Sequence, residues 1–410
     1  MLNKKHSQPT SHCPQSTVHS PPFKPGIDTL LSKHKGWLKG KRVGLISHLA
    51  AVDSKGCTSA QRLWDSANVD LACLMGPEHG YFGRAAAGES CRAAKHPDWN
   101  IPIHSLYGKQ RKPSKRILNK LDLIVFDLQD LGYRPYTYVS TLRLALEAAA
   151  ETNTPIIVAD RPIPLPCTID GPMLDSGFES FVSAIPAPMV YGMTPGETAL
   201  WLQATVVPNV DLRVAQMRGY SRNPTRGADW PPWLRPSPSI VSWESAICFP
   251  ATVCFEGITA VDHGRATDMP FQLIGAPWTN GTELAEKLNK QKLPGITFYP
   301  HHYQTKRADY AKGKTLSGIR LVVINSKKLR PILTGITIIH CLQELYGLKR
   351  VWNPRNCREE FFDKLLGTDS VRIALQNGET PKAIATQWKK GLQAFNRTRK
   401  KHLMYCEEVI

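Results

Sequence analysis

The chain alternates short, almost uniformly apolar runs with longer amphipathic stretches. Residues 42–47 (RVGLIS), 69–75 (VDLACLM), 121–126 (LDLIVF) and 156–159 (IIVA) are the apolar runs. Apolar runs this short, bounded by turn residues, predict strands buried on both faces. Between them, residues 58–66 and 138–152 carry apolar side chains at helical spacing, and residues 27–31 open the regular structure with a short helix. Strands and helices in alternation predict a mostly parallel sheet with helices on both faces.

After residue 160 the rhythm loosens. Residues 194–205 predict a helix with Thr194 as N-cap, Pro195 at the first helical position and Glu197 closing a capping box. A further strand is expected at 211–217. The run 230–239 (WPPWLRPSPS) suits a crossing between domains, because proline has no amide to donate inside a helix or a central strand. Beyond it, residues 282–290, 332–346 and 382–395 read as helices and 319–324 as a strand. The expected fold class is α/β. It comprises a disordered Pro/Ser-rich tail over 1–25, a domain built on the parallel sheet over 26–240, and a smaller α+β domain over 241–410.

Composition changes this picture little: 42% of the 410 residues are hydrophobic, an ordinary globular value. No stretch approaches the roughly 18 apolar residues of a membrane span. Lys4 and Lys5 are followed by Ser, Pro and His rather than an apolar core, so the start does not read as a secretory signal. The ten cysteines are scattered, with no CxxC pair. Both features point to a cytoplasmic protein with reduced thiols.

The net charge of +18 raises the question of a nucleic-acid partner. Its distribution argues against one. Residues 1–42 hold eight Lys/Arg against Asp28 alone, residues 109–120 hold six and residues 382–401 seven, the last two runs without an acid. The rest of the chain is close to neutral. These runs lack interleaved aromatics, so the basicity belongs to the periphery and no nucleic acid is expected.

Ligands of an open parallel sheet bind beyond the carboxyl ends of its strands. Here the four predicted strands run into His48, into Gly76-Pro77-Glu78-His79-Gly80, into Asp127-Leu128-Gln129-Asp130 and into Asp160-Arg161-Pro162. Glu78, on a turn made rigid by Pro77, suits a general acid; pairing with Arg84 is its structural alternative. Asp127 and Asp130 can supply a second carboxylate, bind hydroxyls or hold their own loop. Tyr133, Tyr136 and Tyr138 surround Arg134, which suits sugar stacking and carboxylate binding or, equally, a packing layer. Glu256 and Arg265 lie in two glycine-flanked polar segments of the second domain. No phosphate loop, GxGxxG, GxSxG or zinc spacing occurs, so neither a metal nor a cofactor is expected.

The order of these motifs carries a resemblance. Pro77-Glu78-His79-Gly80, Ala87-Gly88-Glu89, Ser105-Leu106-Tyr107-Gly108, Phe126-Asp127-Leu128-Gln129-Asp130, Arg134 with Tyr136-Thr137-Tyr138, Asp160-Arg161-Pro162, Asp170-Gly171-Pro172, Gly192-Met193-Thr194, Phe255-Glu256-Gly257 and Gly264-Arg265 follow one another as in the exo-β-N-acetylmuramidase NamZ family, which the chain resembles over roughly residues 27–405. The resemblance implies a Rossmann-like N-terminal domain carrying the active site and a smaller C-terminal domain completing the cleft. It implies a glycosidase releasing terminal N-acetylmuramic acid from the non-reducing ends of peptidoglycan fragments, with a muropeptide or muramyl sugar as partner. The family's glutamate falls on Glu78. Asp127, Asp130 or Glu89, or the acetamido oxygen of the substrate, would act from the other face. The resemblance leaves Arg134, Arg161 and Arg265 as cations for the lactyl carboxylate, with His79, Tyr138, Asp160 and Glu256 also lining the sugar site.

The chain also departs from the family pattern. Ser47-His48-Leu49-Ala50-Ala51 replaces a Thr-Asn-x-Thr-Gly turn, Ile163 and Ser239 replace asparagines, Tyr191 replaces a histidine, and Asp262-His263 replaces Ser-Glu. Losing two amides predicts altered specificity or a weakened enzyme. In the extreme case the protein would bind muramyl sugars without turning them over.

Overall fold

The computed structural model describes residues 21–86, 88–89, 94–223, 225–307, 313–355 and 357–406. Seven strands form the larger sheet: β1 (Lys41–Ser47), β2 (Val69–Gly76), β3 (Ala94–Lys95), β4 (Pro102–Ser105), β5 (Leu123–Asp127), β6 (Ile156–Ala159) and β7 (Leu212–Ala215). Their order is β3-β4-β2-β1-β5-β6-β7, parallel throughout except for β3, which lies antiparallel to β4 at the edge. Without that edge strand this is the doubly wound order of a Rossmann-like sheet, with its reversal between β1 and β5. The α/β expectation therefore holds.

The predicted central strands are all present, and the helices Tyr138–Thr152 and Pro195–Thr205 form as their patterns dictate. The latter carries the full capping box, with Thr194 and Glu197 exchanging hydrogen bonds. β5 and β6 are buried at every position, the price-free consequence of helices covering both faces.

A second sheet, antiparallel and in the order β8-β10-β9, is built from β8 (Leu273–Ala276), β9 (Ile296–Gln304) and β10 (Thr315–Val323). Of these, the apolar pattern reveals only β10. β9 is an edge strand exposing Tyr299 and His302, with Pro300 in its middle, and so lacks a continuous apolar signature. The helix Trp243–Thr252 also escapes the pattern, because Pro250 lies inside its last turn. The helix expected over 382–395 is two helices, Pro381–Gln387 and Lys389–Arg399, meeting at Trp388.

One apolar cluster runs unbroken from Ile46, Phe126 and Val158 of the parallel sheet to Ile274, Ile319 and Leu342 beside the antiparallel one. The opposite face of the parallel sheet has its own cluster around Val43, Leu45, Leu71 and Val125. The predicted tail is shorter than 1–25 at its inner end. Phe23 is buried and the Lys24 amide donates to the Arg218 carbonyl at 2.9 Å, while residues 1–20 lie outside the described residues.

Candidate active site

The turn after β2 is set by backbone geometry. A Cβ on Gly76 would sit 2.3 Å from the Tyr81 amide nitrogen, so the chain folds back there only because the position is glycine. His79 and Gly80 then both take left-handed φ values, 70° and 74°. A histidine in this region is uncommon and strained, and the turn over-determines it. The Gly80 amide donates to the Pro77 carbonyl at 2.9 Å, and His79 Nδ1 donates to the Ala85 carbonyl at 2.9 Å. Burial lowers the His79 pKa, opposed by the bond to the Ala85 carbonyl and by Glu78, with Arg265 adding to the lowering.

This turn projects Glu78 into a cavity of about 740 Å³ between the parallel sheet and the second part of the chain. That is ample for a sugar-sized ligand. Gly88 N donates to Glu78 Oε1 at 3.1 Å and Thr137 Oγ1 to Oε2 at 2.7 Å. Thr137 sits at the start of the helix Tyr138–Thr152, so β2 and that helix jointly fix the carboxylate. Tyr107 stands beside it; burial and the Glu78 charge push its phenol up to about 12.

The far part of the chain contributes Glu256, Arg265, Phe249, Phe271 and Arg358 to the same cavity. Arg265 donates to the Glu256 carboxylate, and Arg358 Nη2 to the Glu256 carbonyl at 2.6 Å. Burial raises the Glu256 pKa, Arg265 and Arg358 oppose this, and Glu78 adds to it. The two carboxyl groups therefore feel one another. The loop carrying Arg265 is organised by Asp262, which accepts from Gly264 N at 2.8 Å, Thr305 Oγ1 at 3.0 Å and Tyr303 at 3.2 Å.

Six of the residues singled out in the sequence thus line one cavity: Glu78, His79, Tyr136, Tyr138, Glu256 and Arg265. The others do not. Asp127 is fully buried and accepts from both Nε and Nη2 of Arg161 and from Ser59. Arg161 also donates to the Val52 carbonyl at 2.9 Å, so the pair cross-links strand ends. Asp160 accepts from Gly196 N at 2.7 Å, Thr194 Oγ1 at 2.8 Å and Tyr405 at 2.6 Å, anchoring the start of the helix Pro195–Thr205.

Asp130 also lies off the cavity wall, bound by the Leu131 amide at 2.8 Å and Tyr191 at 3.2 Å; burial raises its pKa to about 7. Arg134 is completely buried, donating to Ser183, to the Ala187 carbonyl at 2.5 Å and to the Leu366 carbonyl at the end of the helix Glu359–Leu366. It caps a helix and locks the two parts of the chain together. Glu89 is exposed and holds the Ala86 amide at 2.9 Å.

Two departures from the family pattern acquire reasons. His48 accepts from Gln129 N at 3.0 Å and faces the Tyr138 hydroxyl at 3.4 Å, while Tyr138 donates to the Pro236 carbonyl. Burial lowers the His48 pKa to about 3, so it is a neutral strut under Tyr138. Tyr191 is the partner of Asp130. Thr137, Arg111, Phe249, Phe271 and Arg358 reach the cavity without having been singled out; only Thr137 lay within a recognised motif.

Comparison with known proteins gives consistent matches. The family models described as exo-β-N-acetylmuramidase NamZ, N-terminal, and NamZ, C-terminal, match residues 43–244 and 247–405. The peptidoglycan β-N-acetylmuramidase NamZ of Bacillus subtilis is 37% identical over 397 residues, covering 95% of this chain and 93% of that protein. Two crystal structures of DUF1343 family proteins from Bacteroides fragilis superpose closely. One has a TM-score of 0.88 at 31% identity, covering 94% of this chain and 99% of that one. The other has a TM-score of 0.76 at 26% identity, covering 95% and 100%.

Proposed function

The chain belongs to the exo-β-N-acetylmuramidase NamZ family, and from that premise we propose that its cavity removes terminal N-acetylmuramic acid from the non-reducing ends of peptidoglycan fragments, with Glu78 as the general acid. The observation that carries the assignment is placement. Of the carboxylates at the ends of the parallel strands, Glu78 is the one on the cavity wall among the described residues, and no cation neutralises it.

Its surroundings fit both halves of a proton transfer. The Thr137 hydroxyl can donate to the carboxylate and accept from the carboxylic acid, while Gly88 N holds the other oxygen in either state. Glu78 protonates the glycosidic oxygen as the bond to the muramic acid ring breaks through an oxocarbenium-like state. Glu256 is the second carboxylate of the pair, held in place by Arg265 and Arg358, and it replaces Asp127, Asp130 and Glu89 in that role. Tyr107, Tyr136 and Phe271 give the ring aromatic surface to pack on.

The substrate is a muropeptide-derived sugar. The eight described cysteines are all free thiols, which suits work in the reducing cytoplasm. None of the described helices is long and apolar enough to cross a membrane. The test is incubation with a disaccharide bearing β-linked N-acetylmuramic acid at its non-reducing end. Release of the free muramic acid sugar supports the reading; binding without release overturns it in favour of a lapsed, sugar-holding relative.

A further inference from the structure

The cavity contains more positive charge than its carboxylates use. Arg265 is paired with Glu256, Arg358 is spent on the Glu256 carbonyl and the Phe361 ring, and Lys364 is paired with Glu360. Arg111 remains. It lines the same cavity, yet has no ion pair among the described residues. Its guanidinium lies over the Phe181 ring at 4.5 Å and near the Tyr107 ring at 5.8 Å. Glu179, the other carboxylate along this stretch of wall, is turned to the Gly177 amide at 2.8 Å.

This arginine is presented on a fixed support. The neighbouring Lys112 makes ion pairs with Glu151 at 2.5 Å and Glu147 at 3.4 Å on the helix Tyr138–Thr152, the helix whose first turn also holds Glu78. Packing over the Phe181 ring at 4.5 Å restrains the guanidinium while its N–H donors remain for an anion. The Tyr107 ring lies 5.8 Å from the Arg111 guanidinium and its hydroxyl interacts with Glu78, so the unpaired cation and the general acid share this tyrosine as a neighbour.

We infer that Arg111 is a specificity-determining residue that receives the lactyl carboxylate of the N-acetylmuramic acid ring whose glycosidic bond Glu78 protonates. The inference rests on the reading of the cavity as a muramidase site. A muramic acid ring carries its lactyl ether at C3, two carbons from the anomeric carbon whose bond is cleaved, so one ring in the cavity presents both groups to the lining that holds Arg111 and Glu78. The partners named for this carboxylate in the sequence, Arg134 and Arg161, are buried in structural bonds. Arg265 already has its anion.

The test compares two chromogenic β-muramides, one with the free lactyl carboxylate and one with that group converted to its neutral amide. In Arg111→Ala the acid-to-amide ratio of kcat/KM falls by about 10–100-fold, as loss of a charge-assisted pair requires. Arg111→Lys retains the charge without the fork and recovers part of that ratio. An unchanged ratio in an active Arg111→Ala overturns this inference alone. Failure of the unsubstituted protein to cleave either substrate overturns the muramidase reading and this inference with it.

Discussion

Strands β2 and β5 flank β1 in the same parallel sheet, and each delivers a carboxylate at its carboxyl end. Glu78 follows β2 by two residues, beyond a turn that lifts it away from the sheet edge and into a cavity. Asp127 is the last residue of β5 itself, flush with the sheet and fully buried against Arg161 and Ser59. In doubly wound folds the ligand crevice opens between the strands where the order reverses, here β1 and β5. In this protein the Asp127–Arg161 pair occupies that point, and the cavity lined by Glu78 lies toward the end of β2 and the second part of the chain. The difference teaches that arrival at the strand-end edge does not make a carboxylate catalytic. Among the described residues Glu78 faces the cavity with no cation on it, whereas Asp127 is held by Arg161.

The comparison can be broken first at Asp127. Asp127→Ala leaves the Arg161 guanidinium buried without its anion, and should destabilise the protein by about 3–5 kcal/mol in urea unfolding. Removing the charge as well, in Asp127→Ala combined with Arg161→Leu, should recover part of that loss. Additive losses in the double variant would contradict the pairing.

Thr137→Val sharpens the Glu78 side. It removes the hydroxyl bound to Glu78 Oε2 and should cost roughly tenfold in kcat, about 1.4 kcal/mol, with little change in KM. Thr137→Ser should retain most of the activity. An unaffected valine variant would show that the hydroxyl does not serve the acid.

The smallest expected effect is at Asp130. Its folded pKa of about 7 lies above the ordinary 3.8, so its contribution to stability is full below about 3.8 and is lost as pH rises through 7. Asp130→Asn should therefore show a shallower fall in melting temperature between these pH values than the unsubstituted protein. Asp160, also near 7 through burial, keeps part of the slope in both. Equal slopes would mean that Asp130 does not titrate in this window.

The legible parts of the fold are those whose burial is uniform. β5, β6 and the helix Tyr138–Thr152 read directly from apolar runs and helical spacing, whereas β8 is four residues long and β9 is half-exposed around Pro300. Glu78 was legible because a rigid turn after an apolar strand is a local signal. The roles of Asp127, Arg134, Asp160 and Arg161 were not, since each depends on a partner distant in sequence. The Arg134 contact with Leu366 spans 232 residues, and no local pattern encodes it. Arg111 was hidden differently: it belongs to a basic run read as periphery, and only Phe181, seventy residues on in the chain, turns it toward the cavity.

The central claim is tested most directly by Glu78→Gln, assayed for hydrolysis of a β-linked muramic acid disaccharide alongside its thermal unfolding. The side chain keeps its shape and its bonds to Gly88 and Thr137 but has no proton to give. The account predicts a fall in kcat of at least about 10³-fold with a melting temperature close to that of the unsubstituted protein. A glutamine variant that keeps most of its turnover would contradict it.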